Sequence, residues 1–274
     1  KTTAAGERVH SKKARDDFAK AAAKYQEAVA AGLNKANCKS VADEFQDVAD
    51  DYDNMPEALY NVGAVYRKCN MKTEAKAAFK KTLKVYPKHQ LSLSHLAVMA
   101  LEEGDENSGQ DFLRKAVSAG QNKLDVVPAY VNAATILRKK GRETGNKESL
   151  SKAQLNLRRA LAIDNKYMPA LYQLAMLYLD TASVEKNVSF LTLAQLVCSQ
   201  AINLNPEYGP IYHVLGQIQL QKDELIEALK SFQAAFQKDP TLFASYMNYA
   251  AINLGFRGYQ EAKVAFEKAI AIDP

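Results

Sequence analysis

The sequence predicts an all-α chain: an α-solenoid of about seven helix–turn–helix units, about 14 helices, wound as a right-handed superhelix. Three observations carry this. Ala, Leu and Lys are abundant, while 274 residues include only 12 Gly and 8 Pro, a composition that favours helix. Helical runs close on similar segments: Val85-Tyr86-Pro87, Leu204-Asn205-Pro206, Lys238-Asp239-Pro240 and Ile272-Asp273-Pro274. The intervals Pro206 to Pro240 and Pro240 to Pro274 are both 34 residues.

The first element is a degenerate helix pair in residues 1–55. Its helices are expected near Ser11–Ala31 and Lys39–Tyr52. Apolar residues recur at helical spacing, at Phe18, Ala22, Tyr25 and Val29, then at Val41, Phe45 and Val48. Six units follow over residues 56–274, continuous with the first pair as a single solenoid domain.

Positions are counted from the first residue of each unit. Small residues at 8, 20 and 27 let paired helices cross closely, and large ones at 4, 11 and 24 fill the remaining volume. The unit from Pro56 supplies Leu59, Val62, Gly63, Tyr66, Ala75 and Phe79. The unit from Gly209 supplies Tyr212, Leu215, Gly216, Ala228, Phe232 and Ala235. The unit from Phe243 supplies Tyr246, Tyr249, Ala250, Ala262, Phe266 and Ala269. Weaker units begin at Gln90, Val127 and Met168, with small residues at Ala97, Ala134 and Ala175. Ala160 and Ala201, equivalent in successive units, lie 41 apart. That unit therefore carries about seven extra residues. Insertions are expected at Gly141–Ser149 and Thr181–Ser189, in turns along one edge. They mark either a contact surface or tolerated loop drift.

No single pair can bury its own apolar face, so neighbours must stack. The last pair has no polar helix to cover it. The protein is expected to continue past Pro274, or a partner to cover this end. The first residue is Lys1, not Met, which fits processing or trimming and leaves room for a lost targeting segment.

These units resemble the tetratricopeptide repeat (TPR) over residues 56–274. The resemblance implies an inner face built from the first helix of each pair, with positions 2, 5, 9, 12 and 13 looking inward. Position 5 reads Tyr60, Ser94, Val131, Tyr172, His213 and Met247. Position 9 reads Ala64, Val98, Thr135, Met176, Gln217 and Ala251, and position 12 reads Arg67, Leu101, Arg138, Leu179, Leu220 and Leu254. Repeats that grip a peptide C-terminal carboxylate place Lys and Asn at positions 5 and 9, and this chain does not. The groove expected from Tyr60, Val98, Val131, Tyr172, Met176, His213, Gln217 and Met247 suits an extended apolar peptide or an amphipathic helix. Tyr60, Tyr172, Met176 and Met247 are its anchors. The competing reading is that these side chains pack against neighbouring helices.

Charge excludes little. The net +5 comes from 36 basic and 31 acidic residues, interleaved as on a solvated surface. The densest basic run, Lys12, Lys13 and Arg15, is followed at once by Asp16 and Asp17, so no nucleic-acid partner is expected. No stretch of about 18 apolar residues occurs to span a membrane. Of the four histidines, His10, His89, His95 and His213, no two stand at metal-ligand spacing, and no catalytic or phosphate-binding motif is present. His213 reads as a hydrogen-bonding residue. An enzyme, a metal and a cofactor are all unexpected.

Three cysteines remain. Cys198, at position 24, is expected to be buried and inert. Cys38 and Cys69 fall on one edge in adjacent units, where a disulfide is reasonable if their Cα atoms come within about 7 Å. It would imply an oxidising compartment such as the bacterial periplasm or the cell exterior. Two unpaired cytosolic thiols are the alternative.

A narrower resemblance rests on several phrases. They are Ala160-Leu161-Ala162-Ile163-Asp164, Tyr167-Met168-Pro169-Ala170, Leu196-Val197-Cys198-Ser199-Gln200-Ala201-Ile202 and Met247-Asn248-Tyr249-Ala250-Ala251. The most distinctive runs from Asn253 through Leu254-Gly255-Phe256-Arg257-Gly258-Tyr259 to Ala262. Together with the placement of Cys38 and Cys69 they resemble the TPR lipoproteins of the myxobacterial adventurous-gliding machinery. That resemblance implies a scaffold in an envelope motility complex, facing the periplasm and anchored to the outer membrane by an N-terminal lipid. The lipid-bearing cysteine is not in this sequence, so the anchor is implied by resemblance only. The alternatives are a cytosolic adaptor for an apolar peptide or amphipathic helix, and the repeat part of a larger enzyme.

Overall fold

The computed structural model describes residues 11–53, 55–120 and 122–273. Those residues form 14 α-helices in antiparallel pairs, with no strand among them. His10 and Pro274, which the sequence reading singled out, lie outside the described residues. The chain divides into two compact units, Lys1–Ala129 and Tyr130–Pro274.

The first unit holds α1 (Lys12–Ala30), α2 (Lys35–Asp51), α3 (Pro56–Lys68), α4 (Lys72–Val85), α5 (Gln90–Glu102) and α6 (Glu106–Ser118). Side-chain caps set the starts of α1, α2, α5 and α6, while α3 opens on Pro56 and α4 has no side-chain cap. Ser11 Oγ accepts from the Ala14 N–H at 3.1 Å, and Asp105 Oδ1 accepts from the Ser108 N–H at 3.0 Å. Asn34 and Asn37 form a reciprocal capping box. That box starts α2 at Lys35, four residues before the expected Lys39, and so places Cys38 in its first turn. Cys38 and Cys69 form a disulfide with their Cα atoms 6.3 Å apart. The disulfide ties α2 to the end of α3 beside a core of Phe45, Met55, Leu59 and Val62.

Small-residue positions show their purpose at Gly63. A Cβ there would lie 2.6 Å from the Phe79 ring, which is fully buried. The same holds at Gly216, where a Cβ would lie 2.7 Å from the Phe232 ring. A glycine inside a helix costs about 1 kcal/mol relative to Ala. Burying a phenylalanine stabilises by about 1.5–3 kcal/mol, so the seat for the ring wins.

The second unit takes most of α7 (Val127–Thr144), then α8 (Lys147–Ile163), α9 (Met168–Glu185) and α10 (Ser189–Leu204). It closes with α11 (Gly209–Gln221), α12 (Leu225–Lys238), α13 (Phe243–Gly255) and α14 (Tyr259–Ile272). The extra residues near Gly141–Ser149 and Thr181–Ser189 do not form long loops. They lengthen the helices, so α7 and α9 run 18 residues where α3 and α5 run 13. Gly145, at φ +68°, and Lys186, at φ 52°, end the lengthened helices in the left-handed conformation. Leu150 packs against Gly141 across the first hairpin, where a Cβ would lie 2.6 Å from it. The long helices therefore keep burying surface to their ends. Cys198 is buried and free, and burial pushes its thiol up to about 12.

Candidate protein-binding surfaces

In the first unit, Tyr60 on α3 and His95 on α5 border a cleft of about 370 Å³. Tyr25, Asn61, Arg67 and Lys68 complete its wall. Each ring has a reason to sit there. His95 stacks on the buried Phe79 ring with centroids 4.8 Å apart and planes 7° from parallel. Its Nε2 lies 3.3 Å from the Tyr60 hydroxyl. His89, whose Nδ1 caps α5 by accepting from the Ser92 N–H, brings its ring within 5.1 Å of the Tyr60 ring. Burial, helped by Arg67 and His89, pushes the His95 ring down to about 4, and burial raises the Tyr60 phenol. Both groups are therefore neutral at pH 7. The wall presents hydrogen-bonding rings, with cations at the rim. Val98, read from the sequence as a groove residue, is only 9% exposed and packs in the core of α5.

In the second unit, α9 and α11 pack together and present two neighbouring stripes. Tyr172 and Met176, four apart on α9, are half-buried, as are His213 and Gln217, four apart on α11. Residues four apart share a helix face, so each pair forms one continuous strip. Tyr172 meets Tyr208 edge to face at 6.4 Å. His213 Nδ1 is 2.8 Å from Ser245 Oγ, and burial pushes its ring down to about 4, which fits a hydrogen-bonding role. Gln217 Oε1 is a buried acceptor with no hydrogen-bond partner among the described residues. Met247 on α13 is 36% exposed. Val131 is only 6% exposed and offers no surface to a ligand. Its burial, like that of Val98, accords with the packing alternative rather than with an open groove.

Arg138 and Asp180 are a pair the sequence reading missed. Both are nearly buried, and they form an ion pair between α7 and α9. Arg138 also donates from Nε to Gln173 Oε1 at 3.2 Å. Burial holds the Asp180 carboxyl above the usual carboxylate range despite the Arg138 guanidinium beside it. The signal was present in the repeat numbering. In three contacts a residue at one position faces the next-numbered position of the following unit. Tyr60 is fifth in its unit and meets His95, sixth in the next. Arg67 and Arg138, both twelfth, meet Glu102 and Asp180, both thirteenth.

The neutral histidines give the protein an acid sensitivity. His95 and His213 bind a proton less readily when folded than at the ordinary value of 6.5. Their contribution is complete above pH 6.5 and is lost as pH falls toward 4. Each is worth on the order of 3 kcal/mol. Urea midpoints are expected to fall between pH 7 and pH 4, and less so in a His95→Gln, His213→Gln variant. An unchanged pH profile in that variant would mean these rings are protonated normally.

Among the described residues no group of three or more His, Cys, Asp or Glu side chains could hold a metal ion, and no helix is long and apolar enough to cross a membrane.

Comparison with known proteins fits this architecture. Residues 56–89 match the tetratricopeptide-repeat family model. A tetratricopeptide repeat protein from Parabacteroides merdae superposes with a TM-score of 0.61 over 94% of each chain, at 14% identity. YrrB, described as a TPR protein with an unusual peptide-binding site, gives a TM-score of 0.50 over 74% of this chain and 96% of its own, at 16% identity. Human protein O-mannosyl-transferase TMTC3 is 21% identical over 81% of this chain, which spans only 23% of that protein. The fold is thus that of TPR solenoid proteins.

Proposed function

We propose that this tetratricopeptide-type chain is a non-catalytic scaffold that holds a segment of another protein on the face formed by α9 and α11. One observation carries the reading. Tyr172 and Met176 lie half-exposed on α9, which packs against α11, and on α11 the buried Oε1 of Gln217 has no partner among the described residues. A half-exposed ring and thioether give apolar anchors that adapt to a ligand. An unpartnered acceptor is suited to a backbone N–H of an extended chain or a side-chain donor of an amphipathic helix. YrrB supports the ligand class by its description alone.

The finer reading places the scaffold in the periplasm, as part of an envelope complex for gliding motility with an outer-membrane lipid anchor. The Cys38–Cys69 disulfide supports an oxidising compartment. The phrases around Asn253–Ala262 support the gliding-lipoprotein resemblance. The match to TMTC3 favours a second reading, the repeat part of a larger enzyme. The full reading frame separates the two.

The test is a pull-down from envelope extracts with wild type and a Tyr172→Ala, Met176→Ala variant. Recovery of the partner is expected to drop at least about tenfold, since buried anchors each contribute more than about 1 kcal/mol. Equal recovery sinks the α9–α11 face as the binding site.

A further inference from the structure

Besides the consecutive basic run at Lys12, Lys13 and Arg15, the chain carries a basic face built at helical spacing. Residues 67–88 hold eight Lys or Arg and a single acid, Glu74. Lys72, Lys76, Lys80 and Lys84 follow one another at intervals of four along α4. Like charges at that spacing weaken a helix, so the stripe does not hold α4 together. Ala75, Ala78, Phe79 and Thr82 do that from the buried side.

The margins of the stripe are neutralised. Lys72 Nζ lies 3.2 Å from a Glu102 oxygen, Lys76 pairs with Glu103, and Lys81 Nζ lies 3.7 Å from an Asp50 oxygen. Its centre is not. At roughly 100° per residue, Thr73, Ala77, Lys80 and Lys84 lie within about 60° of one another. All four are exposed. Lys80 and Lys84 have no ion-pair partner among the described residues. A shallow depression of about 390 Å³ borders Lys80, lined also by Lys72, Thr73, Lys76, Ala77 and Glu103, the last already paired with Lys76.

We propose that this face of α4 docks an acidic helical segment of a partner protein, with carboxylates repeating every three to four residues opposite Lys80 and Lys84. Charge complementarity sets the class of occupant. A lipid surface fits less well, because the only exposed apolar side chain at the centre of the face is Ala77 and nothing there can enter a bilayer interface. Single-stranded nucleic acid lacks a stacking platform, since the centre of the face carries no ring. The site is independent of the α9–α11 proposal. It also differs from the Tyr60 cleft, whose walls come from α1, α3 and α5.

Fluorescence anisotropy tests it with a labelled helical peptide of about 20 residues carrying Glu on one face. A control peptide carries the same number of Glu residues distributed around the helix. The one-faced peptide is expected to bind about tenfold more tightly than the control. Lys80→Glu with Lys84→Glu is expected to weaken it by at least about tenfold, and Lys80→Gln with Lys84→Gln by less. Binding should also weaken as salt rises from about 50 mM to about 500 mM. Both variants alter exposed side chains, and unchanged circular dichroism establishes that they fold. Equal binding by wild type and charge-reversed protein overturns the proposal, as does equal binding of the two peptides. So does Lys80- and Lys84-dependent binding of phosphatidylglycerol vesicles or a single-stranded oligonucleotide without binding of the one-faced peptide.

Discussion

Asp180→Ala is expected to lower the unfolding free energy by about 3–5 kcal/mol, because it leaves the Arg138 guanidinium buried without its counter-charge. Glu102→Ala removes the equivalent acid two repeats earlier and is expected to cost less than about 1 kcal/mol. Repeat positions are the same in the two pairs, and burial is the main difference between them, although Glu102 also pairs with Lys72 and Arg138 also bonds Gln173. The Arg138 and Asp180 side chains are 6% and 9% exposed, those of Arg67 and Glu102 22% and 25%. Water solvates the lone Arg67 after truncation and cannot reach Arg138 as freely. Replacing both buried partners, as Arg138→Met with Asp180→Leu, is expected to be close to neutral, since it removes the desolvation cost together with the attraction. Urea titrations of the three variants check this. A cost for Asp180→Ala no greater than for Glu102→Ala would show that the α7–α9 contact opens to solvent.

The pairing of helices was legible because it depends on spacing, and spacing is written in the chain. Gly63 and Gly216 announce rings sixteen residues later at Phe79 and Phe232, and the structure seats those rings on them. Where the reading went astray, length was known but its use was not. The equivalence of Ala160 and Ala201 counts about seven extra residues, and a count cannot say whether they make a loop or extend two helices. About two turns of helix absorb that number, and Gly141 against Leu150 shows why they do: the longer hairpin keeps packing. Boundaries followed the same logic. The Asn34–Asn37 box starts α2 early because two side chains satisfy orphan N–H groups before the apolar pattern begins. At the α9–α11 face, positions five and nine identified Tyr172, Met176, His213 and Gln217 as partly open, but they did not reveal the burial of Val98 and Val131 elsewhere. A residue's own repeat number fixes its direction. Whether the next helix covers it depends on the side chains of the neighbouring unit. The α4 lysines escaped notice because they are spaced by turns of the helix and interrupted by the residues that bury it.

Loss of the disulfide is expected to loosen the N-terminal helix pair far more than the rest. The bridge joins residues 31 apart, and closing a loop of that size in the unfolded chain stabilises by roughly 3–4 kcal/mol in the chain-entropy estimate. In a repeat array each pair is stabilised by its own packing and by its immediate neighbours, and among the described residues the α1–α2 pair has its neighbour on the α3 side. The α1–α2 pair meets the next pair chiefly through α2 against α3, and the bridge lies at that junction. Cys38→Ser with Cys69→Ser should therefore accelerate amide hydrogen exchange throughout α1 and α2, leave α9 to α12 close to wild type, and lower the first unfolding midpoint. Cys198→Ser, at a buried free thiol remote in sequence from the bridge, separates this from a general effect of removing sulfur. Thiol titration of unreduced, denatured wild type should find one reactive group, Cys198, and reduction should reproduce the exchange pattern of the double variant. Three free thiols in protein isolated without reductant would remove both the bridge and the support it gives to an oxidising compartment. The same exchange rates with and without the bridge would mean that the core around Phe45 and Leu59 alone holds the terminal pair in place.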